Sequence, residues 1–179
     1  MKNFKYILIS SIIIFCLCFP AHFLFDIFQN DIIAAIFPTN ESIFQHMKMV
    51  FSCFFLFYFG LFIIRSKFHF ENIFLTNLIS SVATIAIFLV IYIPVYLRFG
   101  ENMIFTFILL FLAIMFGQVM GSIFLKKGDY KVINIISLIL IGIIFIINGY
   151  LTYKPIDNMI FWNPEHETYG MYLNKIERY

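Results

Sequence analysis

The sequence predicts an all-α, polytopic membrane helix bundle with about five transmembrane helices, and three observations lead to this class. Of its 179 residues, 62% are hydrophobic and only 12% are charged, whereas roughly 25% of a soluble domain is charged. The apolar residues fall into five runs, each close to the roughly 20 residues that a helix needs to cross a bilayer. The runs also lack the alternation typical of a transmembrane β-strand, and a helix satisfies its own backbone hydrogen bonds in lipid.

The five predicted spans take up most of residues 1–153, which we expect to form one transmembrane bundle. The first span follows a short basic segment that resembles the start of a signal peptide. Its apolar stretch is long, however, and it lacks a small-x-small cleavage site, so we expect a retained helix. The spans cover residues 6–25, 43–64, 73–97, 103–125 and 132–151.

Residues 31–37, between the first two spans, are apolar but too few to cross a membrane. We predict that they form an interfacial or re-entrant segment. Such a segment would fold the loop back over the bundle, and would bring Asn40 and Glu41 towards His22 and Asp26.

Residues 154–179 are too polar to span a membrane and are predicted to form an outward-facing interfacial tail. Trp162 and Tyr169 are typical of the aromatic belt at a membrane surface. The tail is therefore either an interfacial anchor or a lid over the polar residues of the first loop. As a lid, it would add Glu165 or His166 as a ligand there.

The basic residues predict a cytoplasmic N-terminus and an outer C-terminus for a protein of the cell membrane. Lys and Arg collect in short cytoplasmic loops, and this orientation places seven of the twelve inside. The seven are Lys2, Lys5, Arg65, Lys67, Lys126, Lys127 and Lys131. The first loop and the tail, with three of the four histidines, then face outwards.

His22 and Asp26 lie four residues apart near the outer end of the first span, so we expect them to share a helix face. Ionisable groups at such a depth are costly unless they face protein or water, and they often mark a functional site. The alternative is a pair that is solvated at the membrane surface.

Residues 38–42 have the composition of a helix start. Thr39 or Asn40 is expected to cap the free amides, and Glu41 suits the positive end of the helix dipole. Capping alone therefore accounts for this stretch without any chemistry.

Capping does not account for His46 and Lys48, which lie one to two turns deeper in an otherwise apolar span. We expect both side chains to face His22 and Asp26. The polar residues of the first loop and the second span would then form one cluster.

The predicted cluster offers imidazoles and carboxylates, which suit a divalent metal such as zinc, iron or manganese. The same groups would serve general acid–base catalysis or relay protons, so Glu41, His46 and Lys48 are the candidate catalytic residues. The sequence contains neither an HExxH nor a CxxC motif to narrow the choice. The candidate metal ligands are His22, Asp26, Glu41, His46 and His166.

Gly117 and Gly121 form a GxxxG motif in the fourth span, which lets two helices approach closely. The partner helix belongs either to the same bundle or to a second copy in a homo-oligomer. The lipid bilayer is the other expected partner. A net charge of +2, scattered along the chain, does not indicate nucleic-acid binding.

Residues 22–26 and 37–48 resemble a family of small multi-spanning bacterial proteins, mostly from Firmicutes. Its members read approximately HFxYxWSG and then PVNESxWEHxKL, with a tyrosine–glycine pair in the tail that residues 169–170 match. This chain departs from the pattern at Phe44 and Gln45, where the family has tryptophan and glutamate. The family has no assigned reaction, so the resemblance implies none. It does imply that the family-defining residues are His22, Asn40, Glu41, Ser42, His46 and Lys48.

The sequence leaves three functions open. The first is a metal-binding membrane protein or metal-dependent hydrolase that acts on a lipid or envelope substrate at the outer leaflet. The second is a small ion or solute transporter, with Lys48 and Gln118 as the deepest polar groups of its route. The third is a non-catalytic membrane subunit or assembly factor, in which the polar cluster fixes the fold.

Overall fold

The structure, a computed structural model, describes residues 2–68, 71–125 and 130–170. Five of its helices are long and apolar enough to cross a membrane, which confirms the predicted fold class. Some of the residues used for the charge distribution, such as Lys126 and Lys127, lie outside the described ranges. In chain order the elements are α1 (Lys2–His22), α2 (Leu24–Ile27), α3 (Asp31–Ile36), α4 (Ile43–Phe68), α5 (Ile73–Phe99), α6 (Met103–Ser122), α7 (Lys131–Tyr153), β1 (Trp162–Asn163) and β2 (Thr168–Tyr169).

The long helices alternate in direction, and α4 and α5 form the centre of the bundle. Helix α5 packs against α4, α6 and α7, and α1 packs against α4 and α6. Large buried side chains such as Phe54, Tyr58 and Ile114 fill the space between these helices. Isoleucines and leucines cover the outer faces, where lipid would take the place of water.

The GxxxG motif packs α6 against α5 of the same chain. Gly117 and Gly121 are both buried. A β-carbon on Gly117 would collide with Thr84 and with the backbone of Ser80, and one on Gly121 would collide with Ser80 and Thr76. The motif therefore serves the intramolecular contact, and a homo-oligomer through these glycines stays a prediction.

Helix α3 enters the end of the bundle between α4 and α7. Ala35 lies against Gly149, where a β-carbon would approach it to 3.3 Å. At the start of α3 the Tyr153 hydroxyl donates to the backbone oxygen of Asp31 at 3.2 Å. At its end the Ser52 hydroxyl donates to the carbonyl of Ile36 at 2.6 Å.

The hydrogen bond between Ser52 and Ile36 shows how deep α3 reaches. Ser52 lies nine residues after the start of α4, which is about 13 Å along the helix axis. The chain returns from there to begin α4 at Ile43. Residues 31–42 therefore dip into the bundle and come back to the same end, as a re-entrant segment does.

The tail folds over the same end of the bundle as a short antiparallel hairpin of β1 and β2. The amide of Phe44 donates to the carbonyl of Ile160 at 2.9 Å, and the rings of Phe44 and Phe161 stack at 4.5 Å. The Asn40 side-chain amide donates to the Gly170 carbonyl at 2.7 Å. These bonds fix the described tail beside the first turn of α4.

Candidate metal centre

Three of the predicted site residues meet at the end of the bundle that the tail covers. His22 is the last residue of α1, Glu41 lies in the turn before α4, and His46 lies in the first turn of α4. Nε2 of His22 lies 3.2 Å from Nε2 of His46. Glu41 Oε1 lies 3.5 Å from Nε2 of His22, and its Oε2 lies 3.4 Å from Nε2 of His46. We call these three residues the triad.

Ser42 caps α4, which differs from the prediction of Thr39 or Asn40. Its hydroxyl accepts the Gln45 amide at 3.3 Å, and the Asn40 side-chain oxygen accepts the Ser42 amide at 2.9 Å. Since Ser42 serves the helix amide, the neighbouring carboxylate of Glu41 is left to face the histidines.

The ring of His46 is oriented by the helix itself. Its Nδ1 lies 3.0 Å from the Ser42 carbonyl, one turn earlier. A carbonyl only accepts, so Nδ1 carries a proton, and Nε2 faces the triad: it donates to Glu41 when the ring is protonated and presents its lone pair when the ring is neutral. Metal-binding histidines are commonly fixed in this way by a carbonyl or carboxylate behind the ring.

The triad is half-buried and stays accessible. The side chains of His22, Glu41 and His46 are 26%, 40% and 32% exposed. The hydrogen bonds from His22 and then from His46 hold the pKa of the Glu41 carboxyl well below its usual range, although burial acts in the opposite direction. Glu41 is therefore ionised at neutral pH.

The separations of the donor atoms fall in the range of neighbouring ligands of a metal ion. Zinc binds imidazole nitrogen and carboxylate oxygen at roughly 2.0–2.2 Å, so two ligands of a tetrahedron lie about 3.4 Å apart. An octahedral site would bring neighbouring ligands to about 3.0 Å. The two imidazole nitrogens, 3.2 Å apart, have the separation of neighbouring ligands of one metal ion, and Glu41 presents a different oxygen to each of them, at 3.5 and 3.4 Å. Two histidines and a glutamate are also a donor set that zinc accepts.

Asp26 and His166, the other two predicted ligands, do not join the triad. Asp26 is exposed on α2, and Nε2 of His166 lies 3.9 Å from the Glu165 carboxylate in the turn between β1 and β2. Both residues do line a polar cavity of about 370 Å³ that His22 and Glu41 also line. They thus surround the approach to the triad.

Lys48 faces away from the triad, contrary to the prediction. Its Nζ donates to the Ala34 carbonyl at 2.7 Å and to the Thr152 hydroxyl at 2.8 Å. It is 1% exposed. The ammonium group therefore joins α3, α4 and α7, and satisfies a carbonyl near the end of α3 that would otherwise lie unpaired at membrane depth.

Gln118, the other polar group of the predicted transport route, is also held within the bundle. Its side-chain oxygen accepts the Tyr58 hydroxyl at 2.6 Å, and that hydroxyl lies 3.3 Å from the Ser80 hydroxyl. Tyr58 lies fifteen residues into α4, about 22 Å from its start. This polar cluster is thus far from the triad along the helix.

A second cavity, of about 350 Å³, opens beside the triad on the side of the bundle interior. We call it the apolar cavity, and the one lined by Asp26 and His166 the polar cavity. Sequence reasoning missed the apolar cavity, because its lining comes from four helices and the tail. Phe15, Phe88, Tyr92, Phe107, Leu110 and Trp162 are among its walls.

A protein-family model described as a family of unknown function, DUF6512, matches residues 1–171. No curated protein and no solved structure matches the chain.

Proposed function

The chain belongs to the DUF6512 family of unknown function, and we propose that it is a membrane-embedded, metal-dependent hydrolase with a zinc ion held by the triad. One observation carries the proposal. Three donor atoms from His22, Glu41 and His46, which lie on separate segments of the chain, converge within 4.8 Å of one another, and two imidazoles with a carboxylate are a ligand set that zinc accepts.

The number of ligands favours catalysis over a structural metal. Structural zinc sites use four protein ligands, whereas catalytic sites use three and leave a position for water or substrate. A metal in the triad would lower the pKa of its bound water to about 7 and so supply a nucleophile at neutral pH. Glu41 acts here as a ligand, as do both histidines.

The polar cavity supplies the proton acceptor and the way in for water. Asp26, Glu165 and His166 line it beside the triad. A carboxylate or imidazole there would accept a proton from the attacking water and return it to the leaving group. Hydrolysis then needs no further reactant: water adds across the ester or amide bond, and the two products separate.

The loop charges favour a triad on the outer surface of the cell membrane. The substrates within reach are then outer-leaflet lipids and other components of the envelope. This orientation rests on the positive-inside rule.

Elemental analysis of the detergent-purified protein, with and without added zinc, tests the proposal. We expect about one metal ion per chain in the wild type, and at least a tenfold loss in His46→Ala and Glu41→Gln. The matched control is His166→Ala, a histidine of the polar cavity outside the triad, which should keep the metal.

The competing function is a non-catalytic subunit whose triad only fixes the fold. It is favoured by the bridging position of Glu41 between two histidines, which ties α1 to α4 without any metal. A wild type that stays metal-free in excess zinc, combined with a lower melting temperature of Glu41→Gln, would establish this alternative and overturn the hydrolase.

A further inference from the structure

We infer that the substrate is a lipid whose hydrocarbon chain occupies the apolar cavity and whose headgroup, neutral or carrying an amine, occupies the polar cavity. The inference deepens the proposed function and rests on it for the reaction, since the bond to be cleaved would lie at the triad. The binding of the lipid is a separate claim, and it is tested separately.

The apolar cavity has the depth and the lining for a hydrocarbon chain. It lies between α1, α4, α5 and α6 and reaches from the triad to Phe15 and Val50. Phe15 lies seven residues before His22, and Val50 lies seven residues after the start of α4, about 10 Å in each case. A polar ligand would lose its hydration at this depth without compensation, whereas a hydrocarbon chain would be stabilised there.

The two cavities meet at the triad. His22, Phe23 and Glu41 line both of them. A water-soluble ligand would leave the apolar cavity unused, and a plain hydrocarbon would offer nothing to the metal ligands. An amphiphile fills both cavities and holds the junction between its chain and its headgroup beside Nε2 of the histidines.

The charges around the polar cavity indicate which headgroup fits. Asp26, Glu41 and Glu165 line the polar cavity, and Glu101 lines the apolar cavity. A divalent ion in the triad offsets two of these negative charges and leaves a negative surplus. That surplus repels an anionic headgroup and favours one that is neutral or contains an amine.

Trp162 is the sole tryptophan of the sequence and lines the apolar cavity. Its fluorescence therefore reports on a lipid bound in that cavity. The probe is phosphatidylethanolamine with brominated acyl chains, titrated at low mole fraction into detergent-solubilised protein. Bromine quenches indole fluorescence on contact. We expect a saturable quenching component in the wild type, which unbrominated phosphatidylethanolamine reverses at least fivefold more effectively than phosphatidylglycerol.

Two matched variants on α6 locate the binding. Thr106→Phe places a ring in the apolar cavity, which Thr106 lines, and should remove the saturable component. Ile108→Phe adds the same ring to an exposed position, since Ile108 is 57% exposed, and should leave the component unchanged. Equal quenching in the wild type and Thr106→Phe would overturn the inference, as would equal competition by the two lipids.

The competition in the wild type needs no variant, so the test stands even where Thr106→Phe does not fold. Repeating it with zinc-loaded and chelator-treated protein separates the two claims. Saturable quenching in a protein that binds no metal supports the lipid and rejects the hydrolase. Bound zinc without saturable quenching rejects the lipid alone.

Discussion

Nε2 of His22 lies 3.2 Å from Nε2 of His46, although the two residues are 24 positions apart. Two imidazole nitrogens at this distance cannot both present lone pairs to each other without a proton or a cation between them. Because the Ser42 carbonyl fixes the proton of His46 on Nδ1, the facing nitrogen of the neutral ring is an acceptor. The contact is therefore completed either by a proton on Nε2 of His22 or by a bound cation, and the Glu41 carboxylate lies within 3.5 Å of both nitrogens.

Zinc should raise the melting temperature of the purified protein, because a ligand that binds the folded state stabilises it. At a hundred times the dissociation constant the gain is about 2.7 kcal/mol. Thermal unfolding with and without zinc measures it. We expect no zinc-dependent shift in His22→Ala and the full shift in His166→Ala. A full shift in both variants would place the metal elsewhere.

The metal-free protein should lose stability in acid through Glu41. Hydrogen bonds from His22 and His46 lower the pKa of this carboxyl below its ordinary value of 4.5. A group with a lowered pKa in the folded state stabilises the fold above its unfolded pKa, and this contribution is lost as the pH falls through the folded pKa. The stabilising contribution of Glu41 is therefore lost at pH values below about 4.5.

Melting temperatures of chelator-treated wild type and Glu41→Gln, measured between pH 3 and pH 7, test this effect. The wild type should be the more stable at pH 7, and the difference between the two melting temperatures should narrow as the pH falls below about 4.5. Parallel curves over the whole range would contradict the lowered pKa.

Lys48→Met should destabilise the fold and leave metal binding intact. The substitution removes the donor to the Ala34 carbonyl and the Thr152 hydroxyl, and a buried acceptor without a partner costs about 1–3 kcal/mol. Unfolding in mixed micelles measures this loss, with the exposed Arg98→Met as control. Loss of metal from folded Lys48→Met would instead place Lys48 within the cluster, as the sequence predicted.

Gly117→Ala should be more destabilising than Gly142→Ala. The added methyl group on α6 would collide with Thr84 and the backbone of Ser80, and overpacking costs typically 1–3 kcal/mol. At Gly142, on α7, no atom of the described chain lies within 4 Å of the added carbon. Equal free energies of unfolding for the two variants would indicate that α5 and α6 move apart to accept the methyl group at little cost.

The end of the bundle with the triad should be accessible from outside the cell. In a background without Cys16, Cys18 and Cys53, a Glu101→Cys variant should react with a membrane-impermeant maleimide in intact cells. Glu71→Cys, exposed at the opposite end, should react only after lysis. The reverse pattern would show that the triad faces the cytoplasm.

The residues of the triad were all identified from the sequence, since ionisable groups in an apolar chain are few and costly. Their partners were less predictable. Lys48 was expected beside His46, but two residues along a helix turn the side chain by about 200°. Its direction follows from α3, whose carbonyl it satisfies, and the course of α3 is not contained in any local pattern.

The sequence by itself determined the class of the protein and its spans, because the length of an apolar run and its cost in water are local properties. It also marked His22, Glu41 and His46 as unusual. Only the tertiary structure decided that these three converge, that Asp26 and His166 stay apart from them, and that an apolar cavity adjoins the site. Those outcomes depend on how helices and loops distant in the chain pack together, and packing is a property of the whole bundle.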